Sequence, residues 1–271
     1  MTIGETYTAL DNPNILACLF HPRIQASGRS EAPGREDFLI PVGDDVQLGA
    51  SLHVHSAGAP MVIFFHGNGE IVPDYDELGG IFARGAGVNF FVADYRGYGS
   101  SSGTPTVTAM ISDAHDVLAF VRKLMTERGF TGPLCIMGRS LGSAPAIGLA
   151  ASDSETDSLS GAGAIHCLIV ESGFALSGPL LRVLGLDPDR LGFTGIPGNE
   201  NLDKMGRVRC PSLVIHAEFD HLIPFSDGQA LYDACPSSPK HLLEIKGANH
   251  NDIFLRGMTP YLEQVGRFCR P

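Results

Sequence analysis

The segment Gly138-Arg139-Ser140-Leu141-Gly142 carries the clearest chemical signature in the chain. A serine with glycine two residues before and two after it can occupy a sharp strand-to-helix turn, where its hydroxyl projects from a strained backbone instead of packing. The apolar run PLCIM before this turn and the small-residue stretch SAPAIGLAA after it supply the strand and the helix. A serine hydroxyl attacks poorly unless a base removes its proton, and an imidazole base needs an acid to hold its tautomer. Asp220, which closes the run PSLVIHAEFD, and His250, in the loop after KHLLEIKG, suit those two parts. All three candidates then stand at strand ends. Glu171, at the end of HCLIVESG, is the alternative acid.

Attack by Ser140 on a carbonyl would build negative charge on one oxygen, and a main-chain N–H aimed at it contributes about 3 kcal/mol. Leu141, directly after the serine, is one candidate donor. Asn68 is the other, through its main chain, in the loop His66-Gly67-Asn68-Gly69 that follows MVIFF. His66 reads as a structural side chain that braces this loop. His53 and His55 alternate onto one face of an early strand, His115, His166, His216 and His241 fall inside expected helices or strands, and His221 adjoins Asp220. A structural or solvated role is expected for each of them. The segment Asp94-Tyr95-Arg96-Gly97-Tyr98-Gly99-Ser100 has neither a following Gly-Lys-Ser/Thr nor the G-x-G-x-x-G spacing of a phosphate loop. It reads as a strand-end loop in which Asp94 and Arg96 tie neighbouring loops together by charge-assisted bonds.

The elements that must position these residues follow from periodicity. Residues 61–67, 89–95, 133–140, 166–173, 211–220 and 240–247 are continuous apolar runs of buried-strand length. Between them, Val107, Met110, Ile111, Ala114, Val117, Leu118, Val121 and Leu124 recur at the helical period, with a start near Thr104, Pro105 or Thr106 and a stop at Gly129. Thr259 and Pro260 are expected to open a closing helix with Leu262, Val265 and Phe268 on one face. DFLIPV and VQLGASLHVH, joined at Gly43-Asp44-Asp45, predict an antiparallel hairpin. Strands alternating with helices predict an α/β fold with a mostly parallel sheet and helices on both faces, with chemistry at the carboxyl ends of the strands. Residues 1–36 are polar and irregular and are expected to form a surface arm, leaving 37–271 as one domain.

A chain of 271 residues, 44% hydrophobic, buries about 73% of its unfolded surface on folding, which is enough for one large core. No linker-like stretch or repeat divides it. The formal charge of -11, from 30 acidic and 19 scattered basic residues, argues against a nucleic-acid partner. The first twenty residues lack the basic and apolar regions of a secretory signal, and no apolar run is long enough for a transmembrane helix. Six cysteines lie far apart, without CxxC or zinc-site spacing, mostly inside apolar runs; reduced thiols and a cytoplasmic location are the expectation. No metal or organic cofactor is expected, and a serine nucleophile attacking a carbonyl would take a small-molecule acyl substrate as its partner.

These motifs, HGN, DYRGYG and GxSxG, resemble those of the serine-dependent α/β-hydrolase superfamily, in particular the small BEM46-like and ABHD17-like hydrolases, over residues 37–271. The order serine, acid, histidine is the one that topology requires. The resemblance implies Ser140 as nucleophile, His250 as base, Asp220 as orienting acid, Asn68 and Leu141 as oxyanion donors, and hydrolysis of carboxylic esters, with thioesters and amides as neighbouring classes. Acyl transfer, peptide cleavage and ligand binding without turnover are the alternatives. Many relatives have a small residue where this chain has Glu70, so an acidic group near the pocket entrance bears on whether anionic substrates are accepted. The superfamily's lid falls here at residues 174–209, a short cap with Leu180, Leu181, Val183, Leu184, Leu186 and Leu191 to roof a pocket for small to medium acyl groups.

Overall fold

A computed structural model describes residues 6–25, 34–43, 45–155 and 163–271. Its strands are β1 (Arg35–Val42), β2 (Val46–His53), β3 (Met61–Phe65), β4 (Asn89–Ala93), β5 (Leu134–Arg139), β6 (Ile165–Glu171), β7 (Ser212–Ala217) and β8 (Lys240–Ile245). They form one sheet in the order β1-β2-β4-β3-β5-β6-β7-β8. The β1–β2 and β2–β4 pairs are antiparallel and all the others are parallel. The six apolar runs are the strands β3 to β8. Their lack of alternation has a simple cause: Met61, Ile63 and Phe65 enter the core on one face of the sheet while Val62 and Phe64 enter the core on the other.

The helices are α1 (Pro13–Leu19), α2 (Asp76–Gly85), α3 (Val107–Arg128), α4 (Ser143–Glu155), α5 (Ser177–Val183), α6 (Asn201–Met205), α7 (Phe225–Ala234) and α8 (Ile253–Cys269). Ile15, Val117, Ile147, Met205 and Leu231 bring α1, α3, α4, α6 and α7 onto one face. Phe82 and Val265 bring α2 and α8 onto the other. The helix α3 has the expected apolar stripe, with the Thr106 hydroxyl accepting the Ala109 N–H at 3.0 Å as its cap. No helix among the described residues is long and apolar enough to cross a membrane, and all six cysteines are free.

Two expectations are corrected. The closing helix begins at Ile253 and not at Thr259, so Pro260 lies inside it. Ile253, Gly257, Tyr261 and Val265, four residues apart, are all buried, and packing this stripe against the sheet offsets the hydrogen bond that proline cannot make. The N-terminal segment, expected as an irregular surface arm, packs into the core over residues 7–20, where Tyr7, Leu10, Ile15, Leu19 and Phe20 are buried, while residues 21–24 stay on the surface. Its helix α1, capped by Asn12 with Pro13 in the first turn, has only seven residues, too few for periodicity to reveal. Residues 1–5 and 26–33 of that expected arm, and Asp44 of the hairpin turn, lie outside the described residues.

Asp11 joins this segment to the sheet. Its Oδ1 accepts the N–H groups of Val107 at 2.8 Å and Thr108 at 3.2 Å, the unsatisfied donors at the start of α3. Replacing Asp11 by Ala should lower unfolding free energy by about 1 kcal/mol, read as a shifted urea midpoint with unchanged slope; an unshifted midpoint would show that the Asp11 cap adds nothing to stability.

Candidate active site

Strand β5 runs directly into a short 3-10 turn, Ser140–Gly142, and then into α4. A Cβ at Gly138 would lie 2.1 Å from the carbonyl oxygen of Gly142, and one at Gly142 would lie 2.1 Å from that of Phe65. Only glycine fits at either place, so the turn closes tightly and holds Ser140 at φ 51. A non-glycine residue in that region costs of order 1–3 kcal/mol. The Ser143 hydroxyl braces the turn by donating to the Ser140 carbonyl at 2.6 Å.

The parallel sheet brings the ends of β5, β7 and β8 to one edge. There Ser140 Oγ lies 3.1 Å from His250 Nε2. On the far side of the ring, His250 Nδ1 lies 2.8 Å from Asp220 Oδ2 and 3.0 Å from Oδ1. Asp220 Oδ1 also accepts the N–H groups of Leu222 at 3.0 Å and Ile223 at 2.9 Å. Burial opposes its charge, but His250 and the Ile223 N–H outweigh burial and hold the carboxyl below its ordinary range. Glu171 does not reach Nδ1: its carboxylate faces the Tyr261 hydroxyl and Arg139.

Arg139, between the first glycine and the serine, has a part that its place in the motif did not reveal. Its Nε lies 3.4 Å from Glu70 and 3.3 Å from Glu171. Its Nη2 donates to the His250 carbonyl at 2.9 Å, and Nη1 sits 3.4 Å from His250 Nε2. One guanidinium thus ties the Glu70 loop, the end of β6 and the His250 loop together. Burial works against a charged Glu70, yet Arg139, the Tyr75 hydroxyl and the Gly67 N–H hold its carboxyl below the usual range. For Glu171 burial prevails and pushes the carboxyl up.

A cavity of about 180 Å³ opens over Ser140 and His250, with Asn68 and Leu141 in its wall. Leu180, Val183 and Leu184 of the expected cap line it, joined by Leu19 from the N-terminal segment. Glu70 also lines it, as the sequence anticipated, but with its charge offset by Arg139. The Asn68 side chain is turned toward the N-terminal segment: Oδ1 accepts from the His21 N–H at 2.9 Å and the Tyr98 hydroxyl at 2.8 Å, while Nδ2 donates to His21 Nδ1 at 2.9 Å. Arg23 donates to the Gly69 carbonyl at 3.0 Å. His21 and Arg23 therefore anchor this loop, although no motif marks them. His66 is fully buried beneath it, with Nδ1 2.8 Å from the Gly67 carbonyl and Nε2 3.2 Å from Asp94. Arg96 forms a two-pronged pair with Asp113 of α3 at 2.7 and 2.8 Å, so it ties its loop to a helix where a tie between loops was expected, while Asp94 accepts the Val72 N–H at 2.8 Å.

The cysteines are less scattered in space than in sequence. Ligand atoms of Cys135, Cys167 and Cys269 lie within 4.8 Å of one another, fully buried in the apolar core. Cys135 is five residues before Ser140, about 16 Å along an extended strand, so this trio stands apart from the pocket.

A family model described as "Serine aminopeptidase, S33" matches residues 58–183. The alpha/beta hydrolase domain-containing protein 17B of Homo sapiens is 32% identical over 212 residues, covering 76% of this chain and 65% of that protein. The 17C protein of Xenopus tropicalis is 32% identical over 213 residues, 76% of this chain and 60% of that protein. Among solved structures, the Pyrococcus furiosus esterase Pf2001 matches with TM-score 0.70 at 19% identity, covering 92% of this chain and 97% of that one. The chain belongs to the α/β-hydrolase superfamily. Its sheet order, with an antiparallel pair at one edge, is the superfamily's fold, also matched by Est1E from Butyrivibrio proteoclasticus at TM-score 0.66 and 21% identity over 84% of this chain and 96% of that one. As an α/β hydrolase, this chain spans roughly three-fifths to two-thirds of the length of the two vertebrate relatives.

Two substitutions test this geometry. Gly142→Ala forces backbone apart at the Phe65 carbonyl and should cost about 1–3 kcal/mol of stability and on the order of 10²-fold in turnover, the usual result of displacing reacting groups by about 1 Å. Wild-type activity in that variant would mean the turn has slack. Arg139→Met strands the Glu70 carboxylate, and unfolding free energy should fall by about 3 kcal/mol or more. Because Arg139 keeps Glu70 ionised in the folded state, the deficit is full above about pH 4.3, the ordinary glutamate value, and narrows as pH falls below it; denaturant titrations at several pH values would show this.

Proposed function

We propose that the protein is a serine hydrolase that cleaves carboxylic esters of small to medium acyl groups through an acyl-Ser140 intermediate. The single observation that carries the reading is the hydrogen-bonded line from Ser140 Oγ through His250 to Asp220. His250 Nε2 takes the Ser140 proton as Oγ bonds to the ester carbonyl carbon. Its Nδ1–H stays directed at Asp220, whose negative charge steadies the imidazolium. The main-chain N–H groups of Leu141 and Asn68 receive the charge that gathers on the carbonyl oxygen. Nε2 then returns the proton to the departing alkoxide, which leaves as the alcohol, and the ester C–O bond breaks. Water enters, gives a proton to Nε2, and attacks the acyl carbon; the acid departs and Ser140 regains its proton. Arg139 holds the His250 loop throughout and takes no part in proton transfer.

The description of the matching family model raises removal of an N-terminal amino acid as a second reading. Such a substrate carries an α-ammonium that needs an available carboxylate. Glu70 is the carboxylate among the described residues of the pocket wall, and its oxygens face Arg139, the Tyr75 hydroxyl and the Gly67 N–H. Esters without an ammonium therefore suit this pocket better than aminoacyl amides.

Turnover of an activated ester by Ser140→Ala should fall by about 10⁴- to 10⁶-fold with little change in melting temperature, and a fluorophosphonate probe should label the wild-type chain at Ser140 and nowhere in the variant. Labelling at another serine, or activity within tenfold of wild type, would remove Ser140 from its role.

A further inference from the structure

Lys204, in α6, is buried at 4% exposure. Its ammonium makes no hydrogen bond and no ion pair within 4 Å among the described residues; the contact it has is the face of the Tyr7 ring, 5.0 Å away. The carboxylate one turn earlier, Glu200, is committed elsewhere. Its Oε1 accepts from the Ser177 hydroxyl at 2.6 Å and the Ile196 N–H at 3.0 Å, and its Oε2 from the Ser177 N–H at 2.8 Å. Asp203 accepts from the Glu200 N–H at 3.2 Å. Burial pushes the lysine down to about 8, against the pull of Glu200 and with the help of Arg207. A buried cation is costly to hold without a counter-charge, so the fold leaves a place for an anion.

That place adjoins the reaction centre. Lys204 and Tyr7 line a second cavity of about 40 Å³, whose wall shares Leu19, Leu141, Phe174 and Leu180 with the pocket over Ser140. A single water needs roughly 10–15 Å³ of such space, so this cavity has room for on the order of three waters or a short length of chain. Val107, Met110 and Ile111 of α3 and Leu181 of α5 make much of its remaining wall apolar, while Ser177, Asn199, Glu200 and Asn201 also line it. An acyl group held at Ser140 has this recess beside Leu141, with Lys204 in its wall.

We propose that the recess is an acyl subsite for a short chain ending in a carboxylate, with Lys204 as its counter-charge. The proposal rests on the reading of Ser140 as an ester-cleaving nucleophile and adds its substrate class: half-esters of short dicarboxylic acids. A neutral chain of the same length fills the recess but leaves the ammonium unpaired, whereas a terminal carboxylate gives it a charge-assisted hydrogen bond. The alcohol leaves with the proton that His250 took from Ser140, water supplies the hydroxyl of the new carboxyl group, and the product is the free dicarboxylate. Arg139 offsets the charge of Glu70 in the outer pocket wall, and the Glu200 carboxylate that also lines the recess has its oxygens turned to the Ser177 N–H and hydroxyl and the Ile196 N–H.

The test compares kcat/KM of the full chain on ethyl half-esters of C4 to C8 dicarboxylic acids with that on ethyl esters of monocarboxylic acids of equal length, followed by chromatography of the acid product. The carboxylated series should be preferred at least tenfold at one chain length, and Lys204→Met should remove most of that preference. Equal turnover of the two series by the wild-type chain, or an undiminished preference in Lys204→Met, overturns the subsite. Should Lys204→Met fail to fold, the wild-type chain-length series decides alone. Absence of turnover on both series together with absence of fluorophosphonate labelling at Ser140 overturns the ester-cleaving reading and the subsite with it; labelling with turnover of the neutral series alone overturns only the subsite.

Discussion

Between the end of β3 and the turn that follows β5 there is no space for a side chain. The carbonyl of Phe65 and the backbone of Gly142 approach so closely that even a methyl group would collide, and Gly138 meets Gly142 in the same way across the turn. This contact makes the turn tight, tightness places Ser140 at a positive φ, and that conformation sends its hydroxyl out from the sheet edge. The pairing of Phe65 with Gly138 in the parallel register also sets the loop after β3 beside the serine. Asn68 and Leu141 share one cavity wall for that reason.

Charge inside this edge is compensated in two contrasting ways. Arg139 and Glu171 are register partners at the ends of β5 and β6, and Glu70 closes on the same guanidinium from the neighbouring loop. The result is one cation between two carboxylates, one of them pushed toward its neutral form by burial. It fixes the loop that carries His250 through a bond to backbone, where side-chain rotation cannot loosen it. Lys204 is the opposite case. Its nearby acid, Glu200, is saturated by amide and hydroxyl groups of the cap, and among the described residues the ammonium has no ion pair within 4 Å, only the face of the Tyr7 ring.

The N-terminal segment links these regions. Asp11 completes the start of α3, His21 and Arg23 anchor the loop carrying Asn68, and Leu19 stands in both cavities. Its seven-residue helix is too short to hold its shape alone. The apolar surface of Tyr7, Leu10, Ile15 and Phe20 finds stability only against the finished sheet and helices.

Much of the architecture is legible in the amino-acid order because its causes are local. Unbroken apolar runs require cover on both faces, a stripe at the helical period requires a helix such as α3, and glycines around Ser140 permit a turn that other residues would block. From these come the α/β class, the strands β3 to β8, and the placing of Ser140, Asp220 and His250 at strand ends. The tertiary structure alone decided the rest: which acid faces His250, what Arg139 holds, that Pro260 sits within a helix, that residues 7–20 pack into the core, and that Cys135, Cys167 and Cys269 converge. Arg139 and His250 are separated by 111 residues, and no pattern of neighbours along the chain encodes their meeting. Periodicity records how a segment meets water and core, whereas the pairing of charges depends on which strands the completed sheet sets side by side.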